Sequence, residues 1–344
     1  MGLREEILEQ PAAAARLLAA RADFDGIAEA VSQRRPAFVV IAARGSSDNA
    51  GLYLQYLLAV RNGIVSALAA PSTITLYGAR PKVEGALVVG LSQSGRSPDI
   101  VAVLDGARAQ GALTVALTND PASPLAAAAE HSIDLRAGPE RATAATKSYT
   151  TELLASALLS LALDSPTGAE EADIARLPEF MAEALGAETE ARRLADGHAQ
   201  REVCTILGRG LGYATAREWA LKMQELAQVA ALPFSAADFE HGPLALAEPG
   251  FAVLAVGSAG PELEAIRPLL QRLRDDHGAR LVVLSSDTAA RELDEGLPVP
   301  RATPGWLAPI VEIIPAQLYT YHLTIARGLD PDQPRTISKV TRTR

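Results

Sequence analysis

The segment Leu91-Ser92-Gln93-Ser94-Gly95-Arg96-Ser97 directly follows the apolar run Ala86-Leu87-Val88-Val89-Gly90. A buried strand that ends in a hydroxyl- and glycine-rich loop and then opens a helix is suited to holding an anion. The helix expected over 98–109 would aim its unpaired N–H groups and the positive end of its dipole at that loop. Ser92, Ser94 and Ser97 add hydroxyl donors with little bulk, and Gly95 allows close backbone approach. The same residues also describe an ordinary strand-to-helix turn, with Ser97 as N-cap and Pro98 at the first helical position. A second strand end in the same half, Gly45-Ser46-Ser47 after 38–43, favours the ligand reading. In open α/β sheets, ligands sit at the carboxyl ends of strands where the topology switches. Two serine-bearing strand ends therefore point to one phosphate site.

A different set of groups stands in the second half. A helix starting near Tyr213 carries Glu218, Lys222 and Glu225 at i, i+4 and i+7, hence on one face. Such a face is commonly a solvated Glu–Lys pair. Ala216, Trp219, Ala220 and Met223 make the opposite face apolar, so the charged face is expected to need no burial. The loop Phe239-Glu240-His241-Gly242-Pro243-Leu244 follows. A histidine flanked by Gly-Pro in a loop between packed elements is held in a fixed geometry, which suits acid–base work; a structural hydrogen-bonding role for His241 is the alternative.

The elements that must position these groups repeat. Strands are expected at 37–42, 64–68, 86–91, 113–118 and 132–135, with helices at 47–60, 98–109, 123–129 and 144–163. The second half repeats the plan: 202–207 leads through Gly208-Arg209-Gly210 into a helix, and 251–256 through Gly257-Ser258-Ala259-Gly260 into another, followed by the strand 280–285. Short β-branched runs alternating with amphipathic helices signal parallel sheets covered by helices, so the chain is a tandem duplication of one α/β unit. The expected division is an N-terminal helix at 1–24, a first domain at 25–164, linker helices at 165–199, a second domain at 200–328 and a tail at 329–344. The second copy has lost most of the hydroxyls at its strand ends, which puts the phosphate site in the first.

Composition narrows the partners. A net charge of −9 over 344 residues argues against nucleic acid or an anionic membrane surface. It leaves room for a small phosphorylated ligand, which needs only local donors. The lone Cys204 excludes an intramolecular disulfide and a cysteine zinc site, and the five histidines show no metal spacing, so neither metal nor cofactor is expected. Without a secretory signal at the N-terminus or an uninterrupted apolar span, a cytoplasmic protein is expected.

Gly45-Ser46-Ser47, Leu91-Ser92-Gln93-Ser94-Gly95, Ala137-Gly138-Pro139-Glu140, Ala145-Thr146-Lys147, Ala220-Leu221-Lys222, His241-Gly242-Pro243-Leu244-Ala245-Leu246 and Asp332-Gln333-Pro334-Arg335 occur in this order. From about residue 30 onward the chain resembles the tandem sugar isomerase (SIS) proteins, specifically the isomerase half of glucosamine-6-phosphate synthases. The resemblance implies two SIS domains, each a three-layer α/β/α sandwich with a flavodoxin-like parallel sheet. It implies that Ser46, Ser47, Ser92, Gln93, Ser94 and Ser97 hold a sugar phosphate, and that Thr143 and Ala144 line the sugar pocket with backbone groups. Glu225 matches the glutamate that moves a proton between C1 and C2, supported by Glu218 and Lys222. His241 matches the ring-opening histidine, which in the family arrives from the partner subunit of a homodimer. Lys339 matches the lysine that can form a Schiff base with the open-chain ketose.

The synthases also carry a glutaminase domain with an N-terminal cysteine nucleophile. This chain begins with a short helix, and Cys204 lies in a second-half strand, so glutamine-dependent synthesis is not expected. The expected activity is that of a glucosamine-6-phosphate deaminase, acting on a phosphorylated hexosamine by ring opening and proton transfer. A fructosamine-6-phosphate deglycase, a galactosamine-6-phosphate deaminase or isomerase, and a non-catalytic sugar-phosphate sensor remain as alternatives.

Overall fold

The computed structural model describes residues 2–337 and 339. Two parallel five-stranded sheets organise the chain. The first contains β1 (Phe38–Ala42), β2 (Ser66–Leu68), β3 (Ala86–Ser92), β4 (Leu113–Thr118) and β5 (His131–Asp134), in the order β2-β1-β3-β4-β5. The second contains β6 (Val203–Gly208), β7 (Ala230–Ser235), β8 (Ala252–Val256), β9 (Arg280–Ser285) and β10 (Glu295–Pro298), in the equivalent order β7-β6-β8-β9-β10. Both are the flavodoxin-like order expected from the duplication.

Strands β3 and β4 are buried along their whole length and read as continuous apolar runs, as parallel strands covered on both faces must. In the first sheet, β3 pairs with β1 on one side and β4 on the other, in the registers Phe38↔Ala86 and Leu87↔Leu113. Ile100, Val103, Leu104 and Leu125 pack over Ala86, Val88 and Ala116. In the second sheet, Ile266, Leu270 and Leu273 of the helix Pro261–Asp275 pack with Val253, Ala255, Leu281 and Val283.

Several elements differ from expectation. Strands β7 and β10 were not expected. Each contains a proline, Pro233 or Pro298, and β10 is a short edge strand containing Gly296, which blurs the strand signal. The helix expected over 144–163 begins only at Lys147, as Lys147–Ala162. The stretch expected as one helix at 1–24 is three pieces, Leu3–Leu8, Gln10–Ala19 and a 3₁₀ turn at Arg21–Phe24.

The chain forms two compact units whose boundaries cross the expected ones. Residues 12–140 and 147–175 form the unit around the first sheet. The unit around the second sheet gathers residues 176–337, the N-terminal 1–11 and the strap Arg141–Thr146. Thus both the expected N-terminal helix and the expected linker at 165–199 divide between units. The N-terminal helix Leu3–Leu8 buries Leu3, Glu6 and Ile7 within the second-sheet unit. Such long-range partners leave no periodic trace in sequence.

The long helix Ala308–Ala326 runs through the second-sheet unit and is buried over most of its length. It carries Glu312, whose Oε2 accepts a hydrogen bond from Ser258 Oγ at 2.9 Å. Burial pushes this carboxyl from the ordinary 4.5 up to about 8, against the opposing effect of the Ser258 hydroxyl. The folded chain therefore binds this proton more tightly than the unfolded chain. Its contribution to stability falls as pH rises through the window from 4.5 to 8 and is level above it. Glu312→Gln, neutral throughout, should raise the melting temperature more at about pH 9 than at about pH 5, with a full free-energy difference on the order of 4 kcal/mol. Thermal melts of both proteins across that range test this; parallel stability profiles would show that Glu312 does not titrate there.

Candidate functional site

The order β2-β1-β3 sends the connections after β1 and β3 to opposite faces of the first sheet, opening a crevice at their carboxyl ends. Both serine loops lie at this point. After β1, Gly45 adopts φ +56 and leads into the helix Ser46–Val60. After β3, Gly95 adopts φ +60, where an added Cβ would stand 2.1 Å from Ser123 Oγ and 2.9 Å from Thr118 Oγ1. Only glycine fits there, and the loop closes down on β4 and the residues following it. Ser97 is the N-cap of the helix Pro98–Arg108, with Pro98 in its first turn, and its hydroxyl makes no capping bond.

The hydroxyls are not equivalent. Ser92 Oγ accepts the Gly95 N–H at 3.1 Å, and Ser94 Oγ accepts the Arg96 N–H at 3.3 Å. Each keeps its own proton to donate. Ser47 instead donates to buried Glu152 Oε1 at 2.8 Å, so its side chain serves the packing of two helices. Ser46, Gln93, Ser94 and Ser97 are half-buried, open enough for a ligand. Sequence reasoning missed Arg44, which joins the two loops: its Nε donates to Asp99 Oδ2 at 2.8 Å, in the first turn of the helix after β3. Its side chain remains 46% exposed, leaving guanidinium donors available beside the crevice. The signal lay in an arginine immediately before the first loop glycine and an aspartate immediately after Pro98.

The second sheet has the same crevice with different chemistry. Gly210 again has φ +56, but the Glu262 side chain lies over it, its Oε1 3.0 Å from where a Cβ would be. A carboxylate at that point repels an anion.

The helix Gly212–Glu225 follows β6 and presents the second constellation. Lys222 Nζ lies 3.5 Å from Glu218 Oε1 and is hydrogen-bonded to Glu225 Oε2. Contrary to expectation, this charged face is buried: the side chains of Glu218 and Lys222 are 0% and 2% exposed, against 24% for Glu225. The helix packs between its own sheet and the helix Ala308–Ala326, so both of its faces are covered. Glu225 is thus the carboxylate a substrate can reach, oriented by an ammonium held from behind.

The remaining expected residues lie on several elements. Thr143, half-buried, and Ala144, buried, lie on the strap within the second-sheet unit. His241 follows the short helix Ala236–Glu240, and its side chain is exposed. Lys339 is held in an ion pair: its Nζ donates to Glu140 Oε2 at 2.6 Å, while Ser148 Oγ donates to the same oxygen at 2.6 Å. Burial pushes the Glu140 carboxyl up, but the Lys339 charge and these hydrogen bonds outweigh it and hold it below the usual carboxylate range. Cys204 is buried in β6, and burial pushes its thiol up to about 12, which leaves it inert. Among the described residues, no helix is long and apolar enough to cross a membrane.

Residues 35–162 and 200–327 each match the SIS domain. A glutamine–fructose-6-phosphate aminotransferase (isomerizing) from Methanothermobacter thermautotrophicus is 32% identical over 339 residues, 97% of this chain and 56% of that protein. The chain thus spans about half the length of the curated relatives it matches. A crystal structure from Silicibacter pomeroyi, provisionally assigned as a phosphosugar isomerase, is 35% identical with a TM-score of 0.88, covering 96% of this chain and 100% of that one. The C-terminal domain of the glucosamine-fructose-6-phosphate aminotransferase from Francisella tularensis is 28% identical with a TM-score of 0.87, covering 96% of this chain and 98% of that one. With both halves matched, both sheets in the same strand order and the serine loops at the first sheet's switch point, the chain belongs to the SIS domain family.

Proposed function

We propose that this protein is a phosphosugar isomerase that acts as a glucosamine-6-phosphate deaminase, forming fructose 6-phosphate and ammonia. The observation that carries the reading is the Glu218–Lys222–Glu225 cluster, in which only the last carboxylate is open to a substrate. A sealed ammonium fixes that carboxylate in place, the arrangement a proton shuttle requires. The archaeal relative is named for fructose 6-phosphate and for isomerisation, which supports the same sugar and the same C1–C2 proton transfer here.

In this reading Ser92, Ser94 and Ser97, the Gln93 segment, the helix N-terminus and Arg44 bind the phosphate. Ser46 and Ser47 contribute through the start of their helix. His241 opens the pyranose ring. Glu225 moves the C2 proton of the open-chain aldose to C1 while one amine proton passes to the C1 oxygen, so the C1 carbonyl becomes a hydroxyl and the C2 amine an imine. Water adds to that imine, the C2–N bond breaks, and ammonia leaves with the proton it needs. Every step is acid–base chemistry, for which the side chains named suffice.

Purified protein should release ammonia and fructose 6-phosphate from glucosamine 6-phosphate, and Glu225→Gln should lower kcat by about 10²–10⁴. Folded wild-type protein without turnover, or a variant at wild-type rate, rules the reading out. Replacing Ser94 by Ala should remove a charge-assisted hydrogen bond worth roughly 1.5–3 kcal/mol and weaken all phosphorylated sugars alike, as titration calorimetry would measure. Ser92→Ala should also lower the melting temperature, because Ser92 holds the Gly95 N–H within the loop. The exposure of His241 on the chain fits a role in a second copy's site within a homodimer. Mixed dimers of inactive Glu225→Gln and inactive His241→Ala chains should then regain activity, whereas silence in verified mixed dimers places the histidine in its own chain's site.

A further inference from the structure

The N-terminal helix Leu3–Leu8 faces the strap Arg141–Thr146 within the second-sheet unit. Its Glu6, fully buried, accepts the backbone N–H of Arg141 and that of Ala142, the latter at 3.3 Å to both carboxylate oxygens. These are consecutive amides immediately before Thr143 and Ala144. A carboxylate in this position satisfies donors that have no helix or sheet to enter, and it fixes where the next peptide groups point. The helix is itself tied down. Leu3 N–H donates to Asp332 Oδ1 at 2.6 Å, and Gln10, the first residue of the next helix, donates from Nε2 to Ile7 O at 2.9 Å and to Gln317 Oε1 of the long helix at 2.8 Å. Asp332, Glu6 and the strap thus form a continuous chain of hydrogen bonds through the N-terminal helix.

The geometry points to Glu6 as a positioning residue for sugar recognition: it sets the backbone of Thr143–Ala144 against the sugar, while the phosphate is held by other residues. This rests on the phosphosugar reading above, because it takes Thr143 and Ala144 as the groups that face the sugar. It assigns a specific task to an N-terminal helix in which sequence reasoning saw no chemistry, and gives Asp332 of the tail motif a role as anchor of that helix. Shortening the carboxylate keeps its charge and loses reach. Replacing it by an amide loses the charge and sets an N–H₂ group against the strap's N–H groups.

Titration calorimetry with fructose 6-phosphate and with inorganic phosphate separates this task from general stabilisation. Glu6→Gln should weaken fructose 6-phosphate by about tenfold or more and leave inorganic phosphate within about twofold, and Glu6→Asp should recover part of the loss. Should Glu6→Gln not fold, Asp332→Asn, which loosens the same helix at its other end, should show the same selective loss at about threefold. Equal weakening of both ligands, or sugar phosphate binding unchanged in folded variants, overturns the assignment. Wild-type protein that binds inorganic phosphate and no phosphosugar would instead defeat the parent reading.

Discussion

A phosphate bound by neutral donors needs several of them converging on one point with almost no side-chain bulk between them. In a parallel sheet ordered β2-β1-β3-β4-β5 this happens between β1 and β3, where the connections leave toward opposite faces. The rest of the first-sheet unit follows from keeping that crevice open and narrow. Gly45 and Gly95 take positive φ, Gly95 packs directly on Ser123 and Thr118, and Arg44 bridges to Asp99 to hold the two loops at fixed separation. The fully buried strands β3 and β4 provide the floor behind the loops.

The second unit shows how one fold supports a different role once this constraint is lifted. Its crevice keeps the glycine geometry at Gly210 but turns the Glu262 carboxylate over it. The helix after β6 carries Glu218, Lys222 and Glu225. Burying two of those charges is tolerable because they neutralise one another at close range. The third remains partly in solvent. The two copies of one scaffold thus carry different side chains at equivalent strand ends.

Other buried charges do architectural work. Glu6 satisfies the strap's amides and Glu140 gathers Lys339 and Ser148. Glu6 with the strap and Glu140 with Lys339 are pairings across long stretches of sequence, and in each at least one partner lies outside regular structure. Irregular backbone inside a protein requires such partners, because its amides have no ladder or helix to satisfy them.

The alternation of apolar runs and amphipathic helices was enough to establish the duplicated parallel α/β architecture, because strand and helix periods are local properties of the chain. The same holds for the serine loops and for Glu218, Lys222 and Glu225 sharing a helix face. Which of those residues face water was not legible: periodicity tells which side chains lie together, and only the tertiary packing around the helix Gly212–Glu225 decides that Glu218 and Lys222 are sealed. Strands β7 and β10 escaped for a related reason, since their pairing with β6 and β9 overrides the local preference of Pro233 and Gly296. Arg44 against Asp99, Glu262 over Gly210, Lys339 on Glu140 and Glu6 beneath the strap belong entirely to tertiary structure. Their energies depend on distance and burial between residues remote in sequence, and a single chain of letters carries neither.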